Sequence, residues 1–99
     1  MLYAIISEDI PNSQETRLKI RPAHLERLKN LQAQGRLVLA GPHPAIDSPD
    51  PGPAGFSGSL IVAKFPSLDE ACTWAEADPY NEAGVYANIT VKPFKKVLP

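Results

Sequence analysis

Val85-Tyr86-Ala87-Asn88-Ile89-Thr90-Val91 follows Gly84 near the end of a 99-residue chain, and its reading decides the fold. Apolar and polar residues alternate through it, which is the period-two signature of a strand with one face covered. Val85, Ala87, Ile89 and Val91 fall on one side, with Tyr86, Asn88 and Thr90 on the other. Lys92-Pro93-Phe94-Lys95-Lys96 reads as a tail after this last strand.

Moving back along the chain, Ser67-Leu68-Asp69-Glu70 matches a capping box. The Ser67 hydroxyl serves a backbone amide and Glu70 reaches back to the cap, so a helix begins there. Leu68, Ala71, Cys72 and Ala75 form its apolar stripe. Asp78-Pro79 either ends that helix or opens a new short turn with Asp78 as N-cap. Before it, residues 57 to 65 form a nearly continuous apolar run, expected of a central strand covered on both faces. Gly41 to Gly58 collects five prolines and four glycines, a composition that predicts one long ordered loop. Arg36 to Ala40 is a short strand ahead of it.

Residues 13 to 34 have helical periodicity, with Leu18, His24, Leu25, Leu28 and Leu31 on one side and charged residues elsewhere. Pro22 either starts the main helix or kinks an earlier piece, because proline lacks a donor and crowds the preceding turn. Gly35 is a credible C-terminal cap. Tyr3 to Ser7 is a strand, too brief for a helix and closed by Glu8-Asp9-Ile10-Pro11.

The order β-α-β-β-α-β across residues 1–99 predicts a single domain of the ferredoxin-like α+β class: a four-stranded antiparallel sheet with both helices on one face. The other face is then partly apolar and open. Such a face is commonly covered by a second subunit, so a homodimer is expected.

Composition narrows the function classes. One cysteine, Cys72, rules out an internal disulfide and favours a reducing, cytoplasmic setting. Ten basic residues against eleven acidic ones give a net charge of −1, interspersed along the chain, which does not forecast a nucleic-acid partner. The segment from Met1 to Ile6 has no basic flank or cleavage site, and Ser7-Glu8-Asp9 ends it, so it is neither a signal peptide nor a membrane span. Two histidines and one cysteine lie scattered without ligand spacing, so neither a metal nor another cofactor is expected.

His24 is the first candidate for chemistry. At 3.6 residues per turn it shares a helix face with Leu28 and Leu31, and its imidazole leans toward the sheet. A partly buried histidine with one hydrogen bond is the plainer reading; a proton-transfer group needs a partner. Asp78 is the best one available, because a carboxylate that accepts an imidazole N–H fixes the tautomer and stabilises the charged ring. Arg21 stands three residues before His24 and can fork onto an anion. Ser59, beside Gly58, can offer a hydroxyl to a substrate. A serine nucleophile is disfavoured, since no strand-to-helix elbow surrounds it.

Ten short motifs, among them Arg21-Pro22-Ala23-His24-Leu25, Ala40-Gly41-Pro42, Asp78-Pro79-Tyr80 and Ala83-Gly84-Val85-Tyr86, together resemble the YCII-related family over nearly the whole chain. The resemblance implies a ferredoxin-like fold, a dimeric α/β barrel of the kind shared with muconolactone isomerase, and a pocket holding a His-Asp pair, here His24 and Asp78. Some relatives are dehydrochlorinases acting on chlorinated hydroquinones. The expectation is a small acid–base enzyme, catalysing isomerisation or elimination, with Arg21, Ser59, Gly41, Pro42 and Tyr80 contacting an anionic or phenolic small molecule. His43 receives no role. The rival is a non-catalytic dimer whose pocket senses a metabolite. An RNA-binding module shares the element order but is disfavoured by the missing aromatics in strand three and the absence of basic charge.

Overall fold

A computed structural model describes all residues, 1–99. Four strands and three helices follow in the order β1 (Leu2–Asp9), α1 (Gln14–Ala33), β2 (Leu37–Pro44), β3 (Phe56–Lys64), α2 (Leu68–Glu76), α3 (Pro79–Glu82) and β4 (Tyr86–Phe94), with a single 3₁₀ turn at Gly52–Ala54. The strands form one antiparallel sheet in the order β2-β3-β1-β4. This is the ferredoxin-like α+β fold. The two most apolar strands are central, as burial on both faces demands.

One sheet face carries Tyr3 and Ile5 from β1, Ile61 and Ala63 from β3, and Ile89 and Val91 from β4. Against it pack Leu28 and Leu31 of α1 and Ala71 and Ala75 of α2. Burying a side chain such as Leu31 stabilises the fold by about 1.5–3 kcal/mol. The opposite face carries Leu2, Ala4, Ile6, Leu39, Leu60 and Val62, as the cross-strand register requires; Leu39 is exposed, Val62 buried and the others half-buried. No helix is long and apolar enough to cross a membrane.

Four elements differ from the sequence reading. First, α1 runs unbroken from Gln14 to Ala33 with Pro22 inside it. The hydrogen bond that Pro22 cannot donate leaves the Leu18 carbonyl free, but both residues are exposed and water reaches that side.

Second, the buried face of α1 is Arg17, His24, Leu28 and Leu31, whereas Leu18 is 73% exposed. An arginine has taken the place given to a leucine, because acceptors await it inside.

Third, β2 continues through Gly41-Pro42-His43-Pro44, which pair with Leu60, Ser59, Gly58 and Phe56. The predicted loop therefore shrinks to residues 45–55. β2 is an edge strand, and an edge tolerates prolines that a central ladder would not. For the same reason β4, the other edge, extends through Lys92, Pro93 and Phe94.

Fourth, α2 buries Ala71 and Ala75 fully, but Leu68 is exposed and Cys72 only half-buried. Its cap is half of the expected box. Ser67 Oγ accepts the Glu70 N–H at 3.1 Å, but the Glu70 carboxylate makes no return bond and lines a surface cleft instead.

Candidate active site

β1 and β4 pair residue for residue until the register shifts between Glu8 and Asp9: Glu8 faces Asn88, but Asp9 faces Tyr86. Ala87 is the extra residue of a β-bulge. A bulge reverses the alternation beyond it, so Tyr86 joins Ile89 on the helix-covered face rather than lying opposite to it. The sequence reading, which placed Tyr86 on the other side, is corrected here.

The consequence is a polar cluster at one end of the core. Tyr86 Oη lies 3.3 Å from Ser59 Oγ, which is 2.6 Å from Ser7 Oγ, making a chain of three hydroxyls across β4, β3 and β1. Ser7 and Ser59 are both buried. Burial, reinforced by the Asp78 charge, pushes the Tyr86 phenol up to about 12. It therefore stays protonated at neutral pH and remains a donor.

His24 and Asp78 meet at the centre of this cluster. The His24 Nδ1 sits 2.8 Å from Asp78 Oδ2 and 3.0 Å from Oδ1, with the two residues 7% and 2% exposed. Asp78 is held in turn by its place in the fold. It is the N-cap of α3, and its Oδ1 accepts the Tyr80 N–H at 2.8 Å. With Nδ1 committed to the carboxylate, Nε2 is the ring nitrogen without a hydrogen bond inside the chain.

Tyr80, fully buried, forms the platform. The His24 ring stacks on it with centroids 4.2 Å apart, the Arg17 guanidinium lies over it at 4.6 Å, and Tyr86 meets it edge-on at 5.8 Å. Burial pushes the Tyr80 phenol up, and the charges of Arg17 and Arg21 oppose that shift.

Arg17 is fixed by a buried ion pair to Asp9, Nε to Oδ2 at 2.9 Å, and by Nη2 donating to the Gly58 carbonyl at 3.0 Å. Gly58 admits this approach of strands because a Cβ there would strike the Ser7 carbonyl.

Arg17 also lines a cleft of about 440 Å³ shared with Leu18, Arg21, Pro42, Gly52 and Phe56, a volume suited to a small ligand. Its floor is set by Gln14, whose Nε2 donates to the Phe56 carbonyl at 2.7 Å while its Oε1 accepts the Phe56 N–H at 2.9 Å. Gly55 is required beside it, since its φ of +67° and the Gln14 side chain leave no room for a Cβ.

Of the residues singled out in the sequence, His24, Asp78, Tyr80 and Ser59 belong to the buried cluster. Arg21 and Pro42 line the adjoining cleft. Gly41 pairs with Leu60 on β2 and is not among the residues lining the cleft. His43 lies outside the cluster, on β2 opposite Gly58. The sequence reading does not single out Ser7, Asp9 or Tyr86, and it sets Arg17 aside as a solvated charge. Arg17 carried a signal, since it stands two turns before His24 on one helix face, and Ser7 shares its strand parity with Tyr3 and Ile5. No three His, Cys, Asp or Glu side chains cluster so as to hold a metal ion.

The YCII-related domain family matches residues 1–95. The chain is 59% identical to Protein YciI of Escherichia coli O6:H1 over 98 residues, covering 99% of this chain and all of that one. It is 34% identical over 89 residues to a protein from Emericella nidulans described as derivative of benzaldehyde biosynthesis cluster protein C, covering 84% of this chain and 88% of that protein. Among solved structures it resembles 5-chloro-2-hydroxyhydroquinone dehydrochlorinase from Burkholderia phenoliruptrix AC1100 in complex with 2,5-dihydroxybenzoquinone. The TM-score is 0.83 at 29% identity, over 96% of this chain and 94% of the other.

Proposed function

The chain belongs to the YCII-related family, and from that premise we propose that it is a small acid–base enzyme acting on a phenolic or otherwise anionic ring compound. The observation that carries this reading is the buried His24–Asp78 pair with Nε2 left unengaged. Asp78 fixes the tautomer and stabilises the imidazolium, and Nε2 takes a proton from substrate and returns one to it. Arg17 and Arg21 draw the anionic group into the cleft, and the Tyr86 hydroxyl, backed by Ser59 and Ser7, donates to oxygen that gains charge. The reaction is isomerisation or elimination. The dehydrochlorinase likeness and the benzaldehyde-cluster relative favour an aromatic substrate class.

The experiment is incubation of the protein with a panel of chlorinated and unchlorinated hydroxyhydroquinones in D₂O. Halide release reports elimination, and deuterium entering recovered substrate reports proton abstraction alone. Both are expected to fall about 10²–10⁴-fold in His24→Ala. Binding of a ring compound that emerges unchanged and undeuterated from the wild type would make the site a sensor and end the catalytic reading.

The open sheet face is taken to be the seat of a second copy of the chain. Its apolar side chains from β1, β3 and β2 form a contiguous surface of the kind that subunits cover. Sedimentation at micromolar concentration is expected to give a dimer that Leu60→Asp splits; a wild-type monomer would exclude this assembly.

A further inference from the structure

The larger cleft of the molecule lies away from His24, at the end of the sheet where β1 begins and β3 ends. It measures about 950 Å³ and includes Arg27, Arg36, Lys64, Phe65, Glu70 and Trp74 in its walls. Three positive side chains thus share the cleft with one carboxylate, in a chain whose net charge is −1.

None of these cations makes a direct salt bridge. The direct ion pairs in the chain are Arg17–Asp9 and His24–Asp78, so Arg27, Arg36 and Lys64 make none, although the Asp78 and Glu82 charges act on Arg27 at longer range. Both arginines are nevertheless held in place. Arg27 Nη2 donates to the Trp74 carbonyl at 2.8 Å, and its guanidinium lies 4.3 Å from the Trp74 ring centroid. Arg36 donates from Nε to the Lys64 carbonyl and from Nη1 to Gln34 Oε1, and lies 5.1 Å from the Phe65 centroid. A fixed guanidinium on an aromatic wall loses little freedom when an anion arrives, and it stacks with flat rings as well as forking onto carboxylates.

We infer that this cleft is a second binding site, for a small anion carried on a flat aromatic body, with Arg36 and Lys64 holding the anionic group and the Trp74–Arg27 wall stacking the ring. The cleft shares no lining residue with the His24 cluster, although Arg27 feels the Asp78 charge, and its role does not depend on the acid–base reading of that cluster.

Trp74 is the single tryptophan of the chain, so its fluorescence reports directly on this cleft. Titration with 4-nitrobenzoate is expected to quench it saturably, and the neutral 4-nitrobenzyl alcohol to bind at least about tenfold more weakly. Amide ¹⁵N shifts caused by 4-nitrobenzoate are expected at residues 27, 34–36, 64, 65 and 70–74. Arg36→Gln combined with Lys64→Gln weakens binding at least about tenfold, and Lys64→Gln alone, at an exposed position, weakens it in the same direction with the fold intact. His24→Ala leaves it unchanged. Non-saturable quenching, equal binding of the alcohol, indifference to the charge variants, or shifts confined to residues 17–24 and 78–80 would each overturn the assignment.

Discussion

The imidazole of His24 and the carboxylate of Asp78 meet at 2.8 Å across 54 residues of chain, and the same carboxylate caps the helix that carries Tyr80. One side chain therefore orients the ring from the front, through Nδ1, and the stacking platform beneath it, through the Tyr80 backbone. Charge and architecture can be separated at this position by an isosteric change.

Asp78→Asn keeps an oxygen for the Tyr80 N–H but removes the charge facing the imidazole. Activity on a turned-over ring compound is expected to fall by about 10²–10⁴-fold, with only a small loss of melting temperature. Asp78→Ala also loses the cap and costs about 1 kcal/mol more in urea unfolding. Equal activity in Asp78→Asn and the wild type would remove Asp78 from the mechanism.

The Tyr86 phenol binds its proton more tightly in the folded chain, at about 12 against an ordinary 10.0. A pKa raised on folding contributes stability that is complete below the unfolded value and is lost as pH rises toward the folded one. Urea midpoints are thus expected to decline between about pH 10 and 12, with Tyr80 shifted in the same direction. Tyr86→Phe flattens that decline and, by losing the Ser59 partner, costs about 1 kcal/mol at pH 8.

Arg17→Met strands Asp9, whose side chain is 1% exposed, as an uncompensated buried charge. The expected cost is about 3–5 kcal/mol. Adding Asp9→Asn removes that charge and recovers part of the loss, so the double variant unfolds at higher urea than Arg17→Met alone. Additive costs would mean that the pair is not coupled.

Leu31→Ala, at a position 2% exposed, is expected to destabilise by about 2–5 kcal/mol. Leu18→Ala, at a position 73% exposed, changes stability by less than about 0.5 kcal/mol. Chemical denaturation of the two variants side by side reports directly which face of α1 is inside.

The element order could be read in the sequence because it rests on local signals: strand alternation, a Ser67 cap, an Asp-Pro helix start, a histidine in phase with Leu28 and Leu31; that His24 meets Asp78, 54 residues away, rested on the family resemblance. What escaped depends on non-local facts. Pro42 and Pro44 read as loop residues until β2 is known to be an edge. Arg17 reads as a solvated charge until Asp9 and the Gly58 carbonyl are known to await it. Tyr86 was assigned to the wrong face because a single bulge at Ala87 reverses its direction, and a bulge is a property of two strands together.

The pair of hydrogen bonds between Gln14 and Phe56, with Ala45 donating to the Gly55 carbonyl at 2.9 Å, closes the base of the segment from residue 46 to residue 54. Within the segment, Pro51 is buried and Gly52 and Pro53 line the cleft, whereas the tip at residues 47–50 is bonded within itself, Ser48 Oγ accepting the Asp50 N–H at 3.2 Å. Residues can be added or removed around positions 47–50 without displacing Arg17, Arg21 or Pro42, and this stretch is the natural place to graft a peptide or fluorophore. Gln14→Glu, of equal size, replaces its donor with a second acceptor facing the Phe56 carbonyl and ends that independence.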